Sequence, residues 1–135
     1  MNFTITELCK SDTAQRNNIS NVPQLLSVYD NLLDLIVYLL QPIRDKFGYI
    51  QVTSGYRCEK LNKLVKGSTT SNHLIGAAAD IIPQKATFRQ VYDFIINNLD
   101  YDECFIEKNS AGVKWLHVAF RKNTNRKKCN PNFLV

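Results

Sequence analysis

Ser71-Asn72-His73-Leu74-Ile75-Gly76-Ala77-Ala78-Ala79-Asp80, with Trp115-Leu116-His117 further along, contains the only two histidines of the 135-residue chain. A borderline cation such as zinc takes imidazole nitrogen and carboxylate oxygen, and a catalytic site commonly keeps three protein ligands with the fourth position open. His73, Asp80 and His117 supply that donor set. Each has a plainer use when taken singly: a lone histidine serves as a hydrogen-bonded structural residue, and an aspartate after three alanines caps a turn. Their occurrence together, each next to an apolar run, points to a metal centre.

Working outward, Gly76 to Ile82 reads as a small-residue strand closed by Pro83, and Ser68 to Asn72 as the polar loop before it. Upstream, Tyr49 to Thr53 alternates as a strand and leads into Ser54-Gly55-Tyr56-Arg57, a turn that projects side chains; Cys58 to Lys66 forms a short helix ending at Gly67. From Gln24 to Lys46, Leu25, Val28, Tyr29, Leu32, Leu33, Leu35, Ile36, Leu39, Leu40 and Ile43 recur at helical spacing, which makes this the core helix. Asn21-Val22-Pro23 offers its start, Pro42 should kink it or split off a last turn, and Gly48 suits its end. Thr4 and Glu7 have capping-box spacing and predict a helix over residues 5–16; Thr87 and Gln90 repeat that spacing and open a helix to Asn98.

Downstream, Glu103 to Glu107 and Val113 to Phe120 read as two strands joined by the hairpin loop Asn109-Ser110-Ala111-Gly112. Period-two alternation turns Trp115, His117 and Ala119 to one face and Leu116, Val118 and Phe120 to the other. A turn centred near Gly112 sets Glu107 opposite His117, and a register shift of two makes them diagonal neighbours, still within reach. Lys114 falls on the face away from His117. Helices first, then strands mixed with helices, predict an α+β fold with a mostly antiparallel sheet packed against helices.

One small domain over residues 1–135 fits this length. With 44% hydrophobic and 21% charged residues, the chain has the composition of a globular protein and not of a disordered one. No stretch approaches the roughly 20 apolar residues that cross a bilayer. The N-terminus lacks the basic and apolar regions of a secretory signal, so synthesis in a cytoplasm is expected, with delivery to any wall substrate by other means. Cys9, Cys58, Cys104 and Cys129 are scattered without a Cys-x-x-Cys pair, which argues for free thiols and against a cysteine zinc site. Net charge is +5, and Arg121, Lys122, Arg126, Lys127 and Lys128 crowd residues 121–135 into a basic C-terminal tail, read as a solvated surface open to polyanions. No interleaved aromatics precede Phe133 in that tail, so specific nucleic-acid binding is not expected. A monomer is expected.

The order Ser-x-His, Gly-x-Ala-x-Asp and Trp-x-His resembles the zinc peptidases of family M15, the D-Ala-D-Ala carboxypeptidase-like enzymes, whose fold hedgehog signalling domains share. Asn2-Phe3-Thr4-Ile5-Thr6-Glu7-Leu8, Asn21-Val22-Pro23 and Thr53-Ser54-Gly55-Tyr56-Arg57-Cys58-Glu59-Lys60-Leu61-Asn62 are similar to small bacterial and phage members, so the likeness spans nearly the whole chain. It implies a Zn²⁺ ion on His73, Asp80 and His117, and hydrolysis of peptidoglycan stem or cross-link peptides at a bond involving a D-amino acid, in the manner of cell-wall endolysins. It also allows a non-catalytic zinc-containing binding module, as in the hedgehog relatives.

The resemblance further implies a base. A Tyr-Glu strand end brings a carboxylate to the metal in hedgehog domains, and Ile106-Glu107 holds the comparable place here. Dipeptidases instead carry an acidic residue three positions before the second histidine, where this chain has Lys114. Carboxypeptidase-like members place a histidine two positions before it, where this chain has Trp115. Glu107 is therefore the expected general base and Arg57 the expected group for developing oxyanion charge. Ser71, Arg57 and Trp115 are the expected substrate contacts, although Ser71 also suits the cap of the His73 loop and Arg57 a surface pair with Glu59.

Overall fold

The computed structural model describes residues 1–134. In chain order the elements are α1 (Ile5–Cys9), α2 (Asp12–Arg16), α3 (Leu26–Leu35), a π-helical turn (Ile36–Leu40), α4 (Gln41–Phe47), β1 (Ile50–Ser54), α5 (Glu59–Leu64), a 3₁₀ turn (Asn72–Ile75), β2 (Ala78–Pro83), α6 (Phe88–Asn98), β3 (Glu103–Lys108), β4 (Lys114–Ala119) and β5 (Lys128–Cys129). The strands form one sheet in the order β1-β2-β4-β3-β5. All pairs are antiparallel except β3 with β5. This is the α+β architecture that the pattern predicts.

The long helical segment supplies the core. Leu32, Leu35, Ile36, Leu39, Leu40 and Ile43 are all at most 1% exposed and pack with Ile81 of β2, Ile106 of β3 and Leu116 and Val118 of β4. At roughly 1.5–3 kcal/mol for each fully buried aliphatic side chain, this stripe is a dominant source of stability. Pro42 does not break it. A proline denies the ladder an N–H and crowds the carbonyl four residues back; here the chain widens by one residue ahead of it, with the Gln41 N–H bonded to the Ile36 carbonyl, the π-bulge solution to a local obstruction.

Three local expectations change. The helix over residues 5–16 is two helices, because the Leu8 carbonyl that would receive the Asp12 N–H instead accepts the Tyr56 N–H at 2.8 Å. Ser11 then restarts the chain as a new cap, its hydroxyl accepting from Ala14 N at 3.1 Å. Asn21 does not start α3, which begins at Leu26 with no side-chain cap. Its buried side chain donates to the carbonyls of Cys9 (2.9 Å) and Tyr56 (2.8 Å) and accepts from Cys58 N (2.8 Å). Finally, the basic tail is only partly solvated, since Lys128 and Cys129 pair with Glu103 and Cys104 as an edge strand.

Candidate metal centre

β1 ends in the turn Ser54-Gly55-Tyr56-Arg57, and Gly55 shows why the turn is fixed. A Cβ on Gly55 would lie 2.1 Å from the Leu8 carbonyl oxygen, so only glycine permits this approach. The Gly55 carbonyl in turn accepts from His73 Nδ1 at 2.7 Å. A carbonyl only accepts, so the Nδ1 of His73 carries the hydrogen and its Nε2 presents a lone pair to the cleft.

His73 itself sits in the 3₁₀ turn, capped by Ser71, whose Oγ accepts from His73 N at 3.1 Å. Gly76 follows with φ +75°, and a Cβ there would press on Val28 at 2.8 Å. This left-handed glycine reverses the chain against α3 and feeds it into β2, which delivers Asp80. In β2 and β4, Asp80 lies directly across from His117.

These placements bring three donor atoms together. Asp80 Oδ1 lies 3.3 Å from His73 Nε2 and 3.0 Å from His117 Nδ1. One donor atom from each of the three residues falls within 4.8 Å of the others. Two imidazole nitrogens and one carboxylate oxygen at such spacing fit a cation bound at about 2.0–2.2 Å from each. The far side of the second ring is also held, because His117 Nε2 lies 2.8 Å from Glu103 Oε1. Each histidine thus points one nitrogen at the shared centre and anchors the other on an oxygen, the arrangement that fixes ligand tautomers in metal sites.

Burial favours the neutral form of Asp80, but the hydrogen bond from His117, with the His73 ring beside it, outweighs it and holds the carboxyl far below its ordinary range. His117 shows the reciprocal effect: burial lowers its pKa, yet the hydrogen bonds to Asp80 and Glu103 push it up to about 9. The hydrogen bond from His117 likewise lowers Glu103, against the opposing effect of its burial.

Glu107 faces Trp115 in the β3–β4 ladder, and Phe105 faces His117. Glu107 and His117 are therefore diagonal, the shifted register of the two considered. Glu107 Oε1 is 4.0 Å from His117 Nδ1, the nitrogen on the Asp80 side, and the glutamate side chain is 43% exposed. Among the described residues it has no hydrogen-bond partner in the protein. Lys114 pairs with Lys108 and does not line the cleft.

The cleft encloses about 440 Å³ and is lined by Arg57, Lys66, Ser71, Glu107 and Trp115 around the three donors. Arg57 is tied through its backbone N–H to the His73 carbonyl at 3.0 Å, and its Nη2 reaches Ser71 Oγ at 3.4 Å. Its Nε is buried without a partner. Burial lowers the pKa of this guanidinium, with Asp80 and Glu107 opposing the shift. The alternative pairing of Arg57 with Glu59 is not formed, since Glu59 bridges Lys63 at 3.3 Å.

Glu103 is the site residue that the sequence did not reveal. It shares the alternating face of Phe105 and Glu107, which is a usable signal, but its contact with His117 depends on the register. No curated protein matches the chain. The family model described as Peptidase M15 matches residues 1–119, with all three donors, Arg57, Ser71, Glu103 and Glu107 inside the match. The chain belongs to the M15 peptidase family.

Proposed function

We propose that the protein is a zinc peptidase that hydrolyses peptidoglycan stem or cross-link peptides at a bond with a D-amino acid on at least one side. The observation that carries the metal reading is the convergence of His73 Nε2, Asp80 Oδ1 and His117 Nδ1 while the opposite ring nitrogens are held by Gly55 and Glu103. Zinc on these atoms supplies Lewis acidity to the scissile carbonyl and lowers the pKa of water. The substrate class rests on the family, with a cationic and aromatic cleft wall as its support.

The protein's own groups divide the remaining work. Glu107, beside the centre and free of protein partners, takes the proton of the attacking water and returns one to the leaving amine. Arg57, with a buried unpaired Nε, holds the oxygen on which charge develops or a terminal carboxylate. Ser71 Oγ already accepts from His73 N and Arg57 Nη2, so its O–H remains to donate to substrate, and Trp115 forms an apolar wall. Glu103 is tied through Oε1 to His117 and Asn72 and through Oε2 to Arg126, on the far side of the His117 ring from the three donors, which leaves the base role to Glu107.

Purified muropeptides digested with the zinc-loaded protein, with products weighed by mass spectrometry, give the direct test. Glu107→Gln should retain zinc and lose roughly two to four orders of magnitude in turnover, the usual contribution of a positioned acid–base group. Lys114→Ala should stay close to the unmodified rate. A Glu107→Gln protein of full activity would remove Glu107 from the mechanism. A zinc-bound protein that releases no product from any muropeptide would leave a binding module as the better reading.

A further inference from the structure

The segment past the family match, residues 120–134, is stitched to the outer edge of β3. Lys127 N donates to the Tyr101 carbonyl (3.2 Å) and Lys128 N to the Asp102 carbonyl (2.9 Å). Asn130 continues the ladder with its side chain, donating to the Ile106 carbonyl at 2.8 Å and accepting from Ile106 N at 3.0 Å. Phe133 closes the segment, its carbonyl accepting from Arg89 Nη2 of α6 at 2.6 Å. These contacts make the segment a strap of defined position.

The strap lays one charged side chain, itself 41% exposed, over a pair of carboxylates. Arg126 meets Asp102 with both prongs, Nε on Oδ1 at 3.0 Å and Nη2 on Oδ2 at 2.7 Å, and its backbone N–H adds a third bond to Oδ1 at 2.9 Å. Asp102 is completely buried. Its Oδ2 also accepts from Asn72 Nδ2 at 2.8 Å, and the same amide nitrogen donates to Glu103 Oε1 at 2.8 Å. Glu103 Oε1 is the atom that meets His117 Nε2, and Glu103 Oε2 lies 3.5 Å from Arg126 Nη2. Asn72 immediately precedes His73. An unbroken series of polar contacts therefore runs from the strap to the imidazole of His117.

The electrostatics give the series a direction. Asp102 and Glu103 are adjacent carboxylates that share the one amide group of Asn72, and Arg126 is the cation lying against both. Removing it takes the shared cation from two adjacent carboxylates, whose mutual repulsion local rearrangement then relieves. The atoms free to rearrange are the Asn72 amide and the Glu103 carboxylate, and these set the orientation of His117. Outer groups of this kind commonly affect metal affinity by about 10–100-fold.

We propose that Arg126 is a positioning residue for the metal centre: from the C-terminal strap it fixes Asp102, Asn72 and Glu103, and through them the ring of His117. The proposal rests on the reading of His73, Asp80 and His117 as metal ligands and adds an element outside the family match to the working site. It predicts that Arg126→Gln binds zinc about 10–100-fold more weakly, measured by competition with a chromophoric chelator. The visible spectrum of the cobalt(II)-substituted protein should change with it, since ligand orientation sets that spectrum, and kcat should fall more than KM.

Arg126→Lys keeps the charge without the two-pronged grip and should give an intermediate zinc affinity; it also serves as the test if Arg126→Gln does not fold. Asn130→Ala loosens the strap without touching the polar series, and its zinc affinity should stay within about twofold of the unmodified protein, well short of the effect expected of a ligand-orienting group. Unchanged zinc affinity and cobalt spectrum in both Arg126 variants would overturn the proposal. So would an Asn130→Ala loss as large as that of Arg126→Gln, because the strap would then act only as structure. If the unmodified protein binds no zinc in the same titration, the ligand assignment itself fails, a result distinct from either.

Discussion

His117 lies between two carboxylates, with Asp80 on Nδ1 and Glu103 on Nε2, and both nitrogens carry protons while its pKa stands near 9. A metal must displace the Nδ1 proton, so zinc uptake below about pH 9 should release one proton from this ring, and affinity should rise with pH until that value. Calorimetry in buffers of different ionisation enthalpy measures the release; uptake without a proton at pH 7 would refute it. The sign for stability is opposite. A pKa raised from 6.5 to about 9 gives the metal-free protein a contribution fully present below pH 6.5 and lost as pH rises through about 9. Glu103 and Asp80, both depressed, contribute above the ordinary carboxylate range and lose that contribution on acidification. Melting of metal-free protein should therefore weaken on both the acid and the alkaline side. His117→Ala should abolish stoichiometric zinc, measured by elemental analysis of purified protein; a full equivalent retained would remove His117 from the ligand set. His73, Asp80 and His117 were legible because their residue types and motif positions are themselves the chemistry, whereas Glu103 was hidden behind a register that the sequence left open.

Among the elements, the turn after β1 couples the N-terminal helices to the metal centre. Leu8 at the end of α1 receives the Tyr56 N–H, Asn21 latches Cys9 to Tyr56 and Cys58, and Gly55 hands its carbonyl to His73. Gly55→Ala should destabilise the fold at the upper end of the roughly 1–3 kcal/mol typical of overpacking, because its neighbour is backbone and cannot rotate away. Zinc affinity should fall with it, as the His73 anchor shifts. A melting temperature and zinc affinity equal to the unmodified protein would show that the turn relaxes freely. The long helix, α6 with its complete Thr87–Gln90 capping box, and the β3–β4 hairpin were all legible, since periodicity and caps are local signals. The break between α1 and α2 and the latch made by Asn21 were not, because each is caused by a partner more than thirty residues away.

Across the whole molecule, the helices cover one side of a sheet whose other face carries the cleft, and no helix of the described residues is long and apolar enough to cross a membrane. The four cysteines are free. Reductant should leave the melting temperature unchanged, and a drop equivalent to the roughly 2–4 kcal/mol of a typical disulfide would contradict this. The α+β plan could be read from the order of helical and alternating patterns. The strap could not, since Lys128–Cys129 is too short to show alternation and its basic residues suggest only solvent. Its position in the chain has a consequence for biosynthesis. The groups around the three candidate metal donors run from Gly55 to Arg126, while the apolar stripe of α3 and α4 is complete by Phe47. A ribosome working from the N-terminus therefore releases the helical half of the core long before the strands that carry its other half and His117. The helical stripe waits for Leu116 and Val118 to complete its core, and, on the proposed role of Arg126, the candidate metal centre is complete only once Arg126 has left the exit tunnel.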